Sequence, residues 1–185
     1  MVARDPREHH LKLPAVEETL RSLKLGDIVS LTGILVTMRD RAHLRALEYL
    51  SKGQELPFEL KGKAVYHCGP LAKYEAGRWR VLSAGPTTSL RLEGLMEKII
   101  ELLGVQVIVG KGGVGEGTRR ALHGRGIYLA FPGGAGALAA KSIEEVEEVY
   151  WLDLGMAEAV WVLKVREFGP CIVAVDVKGN TLYKL

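Results

Sequence analysis

Cysteine is scarce in this chain: its 185 residues include two, Cys68 and Cys171, far apart in the sequence. Two thiols cannot build a disulfide framework, and they cannot complete a metal or cluster site without ligands from elsewhere. Long apolar runs are missing as well, and no stretch approaches the ~18 residues that a membrane-spanning helix needs. Nor is there a block of lysine or arginine. The net charge of +3 is spread along the chain, which argues against nucleic acid as the main partner and leaves small anions. The first ten residues carry Arg4, Asp5, Arg7 and Glu8 where a secretory signal needs an apolar segment, so the expected location is the cytoplasm. Internal repeats and low-complexity tracts are absent too. What remains is 48% hydrophobic and 25% charged, the composition of a folded domain. Its length supports one core and excludes a self-contained multidomain enzyme.

Glycine is the abundant residue. The 22 glycines fall in groups, Gly110, Gly112, Gly113, Gly115 and Gly117, then Gly133, Gly134 and Gly136, which marks places where backbone passes close to something. Around them a pattern of elements is legible. Residues 1–25 read as an N-terminal arm with a short helix, Ala15–Leu23, and residues 26–185 as a single domain. The β-branched run Asp27–Thr37 predicts a strand with Gly33 as a bulge, followed by a helix from an Asp40 cap through Lys52. Short strands are expected at Lys63–Cys68 and Trp79–Ser83, then a helix after Ser89 running to Leu103, where Gly104 ends it. Val105–Val109 and Ile127–Phe131 read as buried strands running into glycine loops, with a short helix at Thr118–His123. Ser142 with Glu145 forms a capping box that predicts a helix at Ile143–Leu152. A strand at Ala159–Val165 and a hairpin of Cys171–Val177 with Thr181–Lys184 close the chain. Helices and strands alternate in the middle while strands dominate the ends, so an α/β domain with a mixed sheet is expected.

Four turns collect polar or glycine residues: Thr37–His43, Ser83–Arg91, Gly110–Thr118 and Pro132–Ala137. Ligands of α/β domains gather at such turns. In the second, Gly85 and Pro86 precede Thr87, Thr88 and Ser89 at a helix start, where free N–H groups and the dipole favour an anion. The same residues also fit an ordinary cap by Thr87 or Thr88 with Arg91 solvated. The segment Gly110-Lys111-Gly112-Gly113 lacks the hydroxyl residue that must follow the lysine of a nucleotide-binding P-loop. Lys111 fits either a solvated turn or a carboxylate contact. Arg39 fits a substrate clamp beside Asp40, with His43 on the surface or satisfied within the fold. Cys68 and Cys171 read as buried structural thiols. The cluster Pro132–Leu138 offers close packing or backbone contact and no acid–base group.

Taken in order, L-T-G-x-x-x-T-x-R-D-x-A-H (Leu31–His43), S-A-G-P-T-T-S-x-R (Ser83–Arg91), G-K-G-G (Gly110–Gly113), P-G-G-A-x-A-L (Pro132–Leu138) and M-A-E-A-V-W (Met156–Trp161) carry a family resemblance. The chain resembles the C-terminal part, or separate β subunit, of the iron-sulfur hydro-lyases, class I fumarase and L-tartrate dehydratase. That resemblance implies a swivelling β/β/α-type domain with a mixed sheet. It also implies an α-subunit partner whose cysteines hold a four-iron, four-sulfur cluster, and further homodimerisation within a larger heteromer. By the same resemblance Arg39, Arg91 and Lys111 are carboxylate clamps, Gly85 and Thr88 belong to the substrate-binding turn, and Thr87 is the catalytic base. Arg91 and Lys111 are then also catalytic, because a threonine hydroxyl acts as a base only where its alkoxide is stabilised. The implied reaction interconverts a hydroxy-dicarboxylate and its dehydrated product, malate and fumarate foremost, with L-tartrate the alternative substrate. A non-catalytic module that binds a carboxylate or assists assembly of an iron-sulfur partner is the reading from a different class.

Overall fold

A computed structural model describes residues 5–183. In chain order the elements are β1 (Glu8–Lys12), α1 (Glu17–Ser22), β2 (Ile28–Thr37), α2 (Asp40–Ser51), β3 (Ala64–Tyr66), β4 (Leu71–Glu75) and β5 (Arg78–Ser83). A 3₁₀ turn at Leu90–Leu92 leads into α3 (Glu93–Leu103), β6 (Val107–Gly110), α4 (Glu116–Leu122), β7 (Ile127–Ala130) and α5 (Gly136–Lys141). The chain continues through β8 (Ile143–Tyr150), a second 3₁₀ turn at Leu152–Leu154, and β9 (Val160–Val175). The α/β class with a mixed sheet is what the alternating pattern predicted.

Strands β1, β2, β3, β6 and β7 lie side by side in that order and run parallel to one another. The long β9 is antiparallel to both β2 and β7, so β2, β3, β6, β7 and β9 close into a five-strand mixed barrel. Closure removes the open edges between those strands. Alternation then sorts the side chains. Leu35, Tyr66, Val109, Leu129 and Leu163 join one buried cluster, while Val36, Val65, Ile108 and Tyr128 face outward. The outward set packs with Ala42 and Ala46 of α2, Met96, Ile99 and Ile100 of α3, and Ala121 and Leu122 of α4. Every parallel strand of the barrel therefore delivers its carboxyl end to the same end of the molecule. Among the described residues no helix is long and apolar enough to cross a membrane.

Several expectations need correction. Residues Ile143–Leu152 are not a capped helix; Ile143–Tyr150 is strand β8. Its pairing with β9 slips at Ile143/Glu145 and again at Val146/Glu148, and each bulge inserts a residue into one strand. The core-facing set Ile143, Val146 and Val149 is consequently spaced by three instead of two, which imitates helical periodicity. The glycine cluster after β7 holds an unforeseen helix, α5, and the segment read as an N-terminal arm contains β1, hydrogen-bonded in parallel to β2. Strand β4 was also missed; it pairs with β5 across Ala76 and Gly77, both at positive φ. Asp40 does not cap α2: Arg39 occupies the cap position without a side-chain cap bond. The C-terminal hairpin shrinks to a single bridge, Val175 with Thr181, because Cys171–Val175 is the tail of β9. Lys184 of that expected hairpin lies outside the described residues. Gly33 does sit at a bulge, at φ 137°, where the pairing of β2 with β9 shifts register.

Candidate active site

The segment between β5 and α3 is threaded into the carboxyl end of the barrel by backbone bonds. Thr87 N–H donates to the His67 carbonyl (2.7 Å), Lys111 N–H donates to the Thr87 carbonyl (3.1 Å), and Ser89 N–H donates to the Lys111 carbonyl (3.1 Å). The Gly85 end of this segment rests on α5, with Ala84 N–H donating to the Gly136 carbonyl at 3.0 Å. Gly136 is buried and tightly packed, since a Cβ there would overlap the Ser83 hydroxyl and stand 3.0 Å from the Gly85 nitrogen. The Lys111 stem crosses the next loop, where a Cβ on Gly133 would lie 3.2 Å from Lys111 Cδ. At this end Thr87, Lys111 and the loop after β7 are thus neighbours.

Arg91 and Arg39 approach from the α2 side. Arg91 Nη2 donates to Asp40 Oδ2 at 2.8 Å. Arg39 Nε lies 4.0 Å from the same oxygen and 3.2 Å from Glu158 Oε1, whose partner oxygen accepts the Arg41 N–H at 2.9 Å. The Arg39–Glu158 pair is close but misaligned, so the buried Arg39 Nε has no hydrogen-bond acceptor. Gly69 lets the Arg39 stem lie flat on the backbone, for a Cβ there would stand 2.9 Å from Arg39 Cδ. Lys111, Arg91 and Thr88 are exposed, whereas Arg39, Thr87 and Gly85 are half-buried. Arg39 and Arg91 share the two carboxylates Asp40 and Glu158, while Lys111 is main-chain bonded to the Thr87 segment and has its stem over Gly133. Three cations against two carboxylates leave a net positive charge among these residues.

Helix capping does not account for the hydroxyls. Neither the 3₁₀ turn after Ser89 nor α3 carries a side-chain cap bond, and the Thr87 hydroxyl makes no hydrogen bond to the described residues. The start of α4 is capped instead from α3, by Glu93 accepting from Gly115 N–H (2.7 Å), Thr118 N–H (2.8 Å) and the Thr118 hydroxyl (2.8 Å). Gly115 suits this cap, because a Cβ there would come within 2.5 Å of the Glu93 carboxylate group and displace it from the bonds it makes to α4.

Two histidines lie beneath the cations. His43, far from being on the surface, is fully buried, and its Nδ1 donates to the Arg39 carbonyl at 2.8 Å. Burial, outweighing that bond and Asp40, brings its imidazole from 6.5 down to about 4. His67, also buried, has Nδ1 2.8 Å from the Ser89 hydroxyl and is held well below its ordinary range by burial, then by His43 and Arg91. The rings meet edge-on at 5.4 Å. An imidazole buried neutral must be protonated as the chain unfolds in acid, so stability is intact above pH 6.5 and falls as pH drops toward 4. From His43 alone the expected loss across that interval is about 3 kcal/mol. Urea midpoints of wild type and His43→Leu at pH 7 and pH 5 check this; parallel shifts in both proteins would refute it.

Sequence reasoning assigns no role to Glu158 or His67 in this cluster and places Ser89 only among the hydroxyls of the anion-favouring turn. Glu158 is the only charged residue of Met156–Trp161, a usable signal; nothing local marks His67, and nothing marks Ser89 as the partner of a buried histidine.

The donor chemistry of this chain does not suit an iron-sulfur cluster. Both thiols are buried in the barrel cluster; burial pushes Cys171 up to about 12 and Cys68 higher still, whereas cluster ligation needs thiolates. Among the described residues no group of three His, Cys, Asp or Glu side chains is placed to hold a metal ion.

Comparison with known proteins places this architecture. The family model described as fumarase C-terminus matches residues 2–185, nearly end to end. The chain belongs to the fumarase C-terminus family. It is 43% identical over 173 residues to the L(+)-tartrate dehydratase subunit beta of Escherichia coli (strain K12), covering 93% of this chain and 85% of that one. It is 45% identical over 170 residues to the putative L(+)-tartrate dehydratase subunit beta of Methanocaldococcus jannaschii, covering 91% and 87%. A putative fumarate hydratase class I of Geobacillus stearothermophilus is 42% identical over 177 residues, 94% of this chain but 33% of that protein. The fumarase C-terminus domain thus occurs as a chain of about this length and also within a much longer one.

Proposed function

We propose that this chain is the β subunit of an iron-sulfur hydro-lyase that interconverts a hydroxy-dicarboxylate and its dehydrated product. The observation that supports the reading is the threading of the Thr87 segment between the His67 and Lys111 main chains, with Arg91 and Arg39 held by Asp40 and Glu158 on the α2 side. Removing water across two carbons needs cations on both carboxylates, a base for the carbon-bound proton, and a Lewis acid for the leaving hydroxyl. In this reading Arg39, Arg91 and Lys111 bind the carboxylates, with Gly85 and Thr88 lining the turn beside them. Thr87 takes the proton, and Arg91 and Lys111 stabilise its alkoxide. Asp40 and Glu158 aim the arginines. The Lewis acid is a four-iron, four-sulfur cluster on an α-subunit partner, since this chain lacks the ligands for one. Further homodimerisation within a heteromer, and a cytoplasmic location, belong to the same proposal.

Malate and fumarate are one substrate pair for such a site, and L-tartrate is the other. The names of the E. coli and M. jannaschii relatives, which align over most of both chains, favour tartrate. Co-purification with a three-cysteine partner under anoxic conditions, followed by assays with malate, fumarate and tartrate, tests the reading and separates the substrates. A complex carrying its cluster yet inactive on all three would leave carboxylate binding or assembly as the function. The isolated chain is expected to bind no iron and show no hydratase activity, as two neutral buried thiols cannot hold a cubane. Stoichiometric iron in the purified single chain, measured by metal analysis, is the contrary result.

A further inference from the structure

Beneath the proposed site lies a buried polar junction with no part in the roles assigned so far. The Ser89 hydroxyl sits at its centre. It is 2.8 Å from His67 Nδ1 and 3.0 Å from the Tyr128 hydroxyl, whose single proton suits the Gly112 carbonyl, also at 3.0 Å, leaving the Tyr128 oxygen to accept from Ser89. The three residues come from different segments: His67 follows β3, Ser89 precedes α3, and Tyr128 is on the helix-facing side of β7. All three are fully buried. Gly110 must lack a side chain here, because a Cβ would overlap the Ser89 hydroxyl and stand 3.1 Å from the Tyr128 hydroxyl.

A buried network of this kind stabilises little compared with well-packed apolar side chains, but its short, desolvated hydrogen bonds fix the geometry of the groups that they join. What it fixes is the backbone around Lys111. That residue's N–H is held by the Thr87 carbonyl and its carbonyl by Ser89 N–H, while the next carbonyl, on Gly112 at φ +74°, is held by Tyr128. His67 reaches the same strip from below, because its own carbonyl accepts the Thr87 N–H. The two bonds to Lys111 are main-chain bonds; the junction's side chains add the hold on the Gly112 carbonyl and anchor the Ser89 and His67 ends of the strip, beside a glycine that is otherwise free to turn.

We propose that His67, Ser89 and Tyr128 are positioning residues. They set the Lys111 peptide and the adjoining Thr87 peptide so that the ammonium and the hydroxyl face a bound dicarboxylate together. His67 acts through Nδ1, the atom against Ser89, while its Nε2 is buried without a partner. This inference rests on the hydro-lyase reading above.

The test uses the anoxic two-subunit complex with its cluster, assayed on the substrate that the wild type turns over. Asparagine presents its amide near the position of Nδ1 and glutamine near that of Nε2. His67→Gln and Tyr128→Phe are expected to lower kcat/KM about tenfold to a hundredfold, the usual consequence of a small misplacement at a reacting centre. His67→Asn is expected to recover most of what His67→Gln loses. Tyr128→Phe keeps the ring in the core, so it carries the test should either His67 variant fail to assemble. Wild-type kcat/KM in a folded Tyr128→Phe complex overturns the inference and leaves the hydro-lyase reading standing. So does glutamine outperforming asparagine at 67, which would make Nε2 the working atom. A wild-type complex inactive on malate, fumarate and tartrate overturns both.

Discussion

Lys111→Met in the reconstituted enzyme is expected to lower kcat/KM by roughly thirty- to several-thousand-fold while leaving the fold intact. The range corresponds to about 2–5 kcal/mol for losing one charged hydrogen bond to a substrate carboxylate. Lys111 is exposed, its stem lies over Gly133, and no salt bridge ties its ammonium to the described residues, so methionine removes charge and little packing. A surface change of that sort normally moves stability by no more than ~0.5 kcal/mol. Arg91→Met should behave alike in turnover but differently in detail. It also releases Asp40, 2.8 Å from Arg91 Nη2, and the freed carboxylate then competes with substrate for Arg39. Steady-state kinetics alongside thermal melts check both variants. A melting temperature that collapses with activity would mark these side chains as structural.

Thr87→Val is the second large effect. Had Thr87 been a helix cap, valine would cost about 1 kcal/mol of stability and spare the chemistry. No such cap bond exists at the 3₁₀ turn or at α3, so the variant should melt with the wild type. Loss of a proton acceptor typically costs about 10²–10⁴-fold in rate, and here it should abolish most turnover while substrate still binds. Equilibrium dialysis with labelled substrate separates the two quantities. Wild-type turnover in the valine variant would move the base elsewhere, onto the partner.

The parts that could be read from the sequence share one property: the signal and the structure it reports are local. The run Ile28–Thr37, the helical stripe ending at Gly104 (φ +65°) and the buried strands before two glycine loops declare themselves within a window of about a dozen residues. Strand β8 did not, because its two bulges come from pairing with β9, and they turn a strand's period of two into spacings of three. Strand β1 likewise owes its existence to the β2 edge it binds; five residues alone hold no extended shape.

The site divides along the same line. Residue chemistry and motif order determined that the chain carries cations, hydroxyls and glycines at turns, and which family it belongs to. Only the tertiary structure decided that Asp40 serves Arg91 instead of capping α2, that Glu158 stands against Arg39, and that His43 and His67 are buried neutral beneath them. A hydrogen-bond partner or a desolvation cost depends on what closes in from distant segments. Barrel closure by β9 brings those segments to one end, and no local pattern encodes which side chains will then meet.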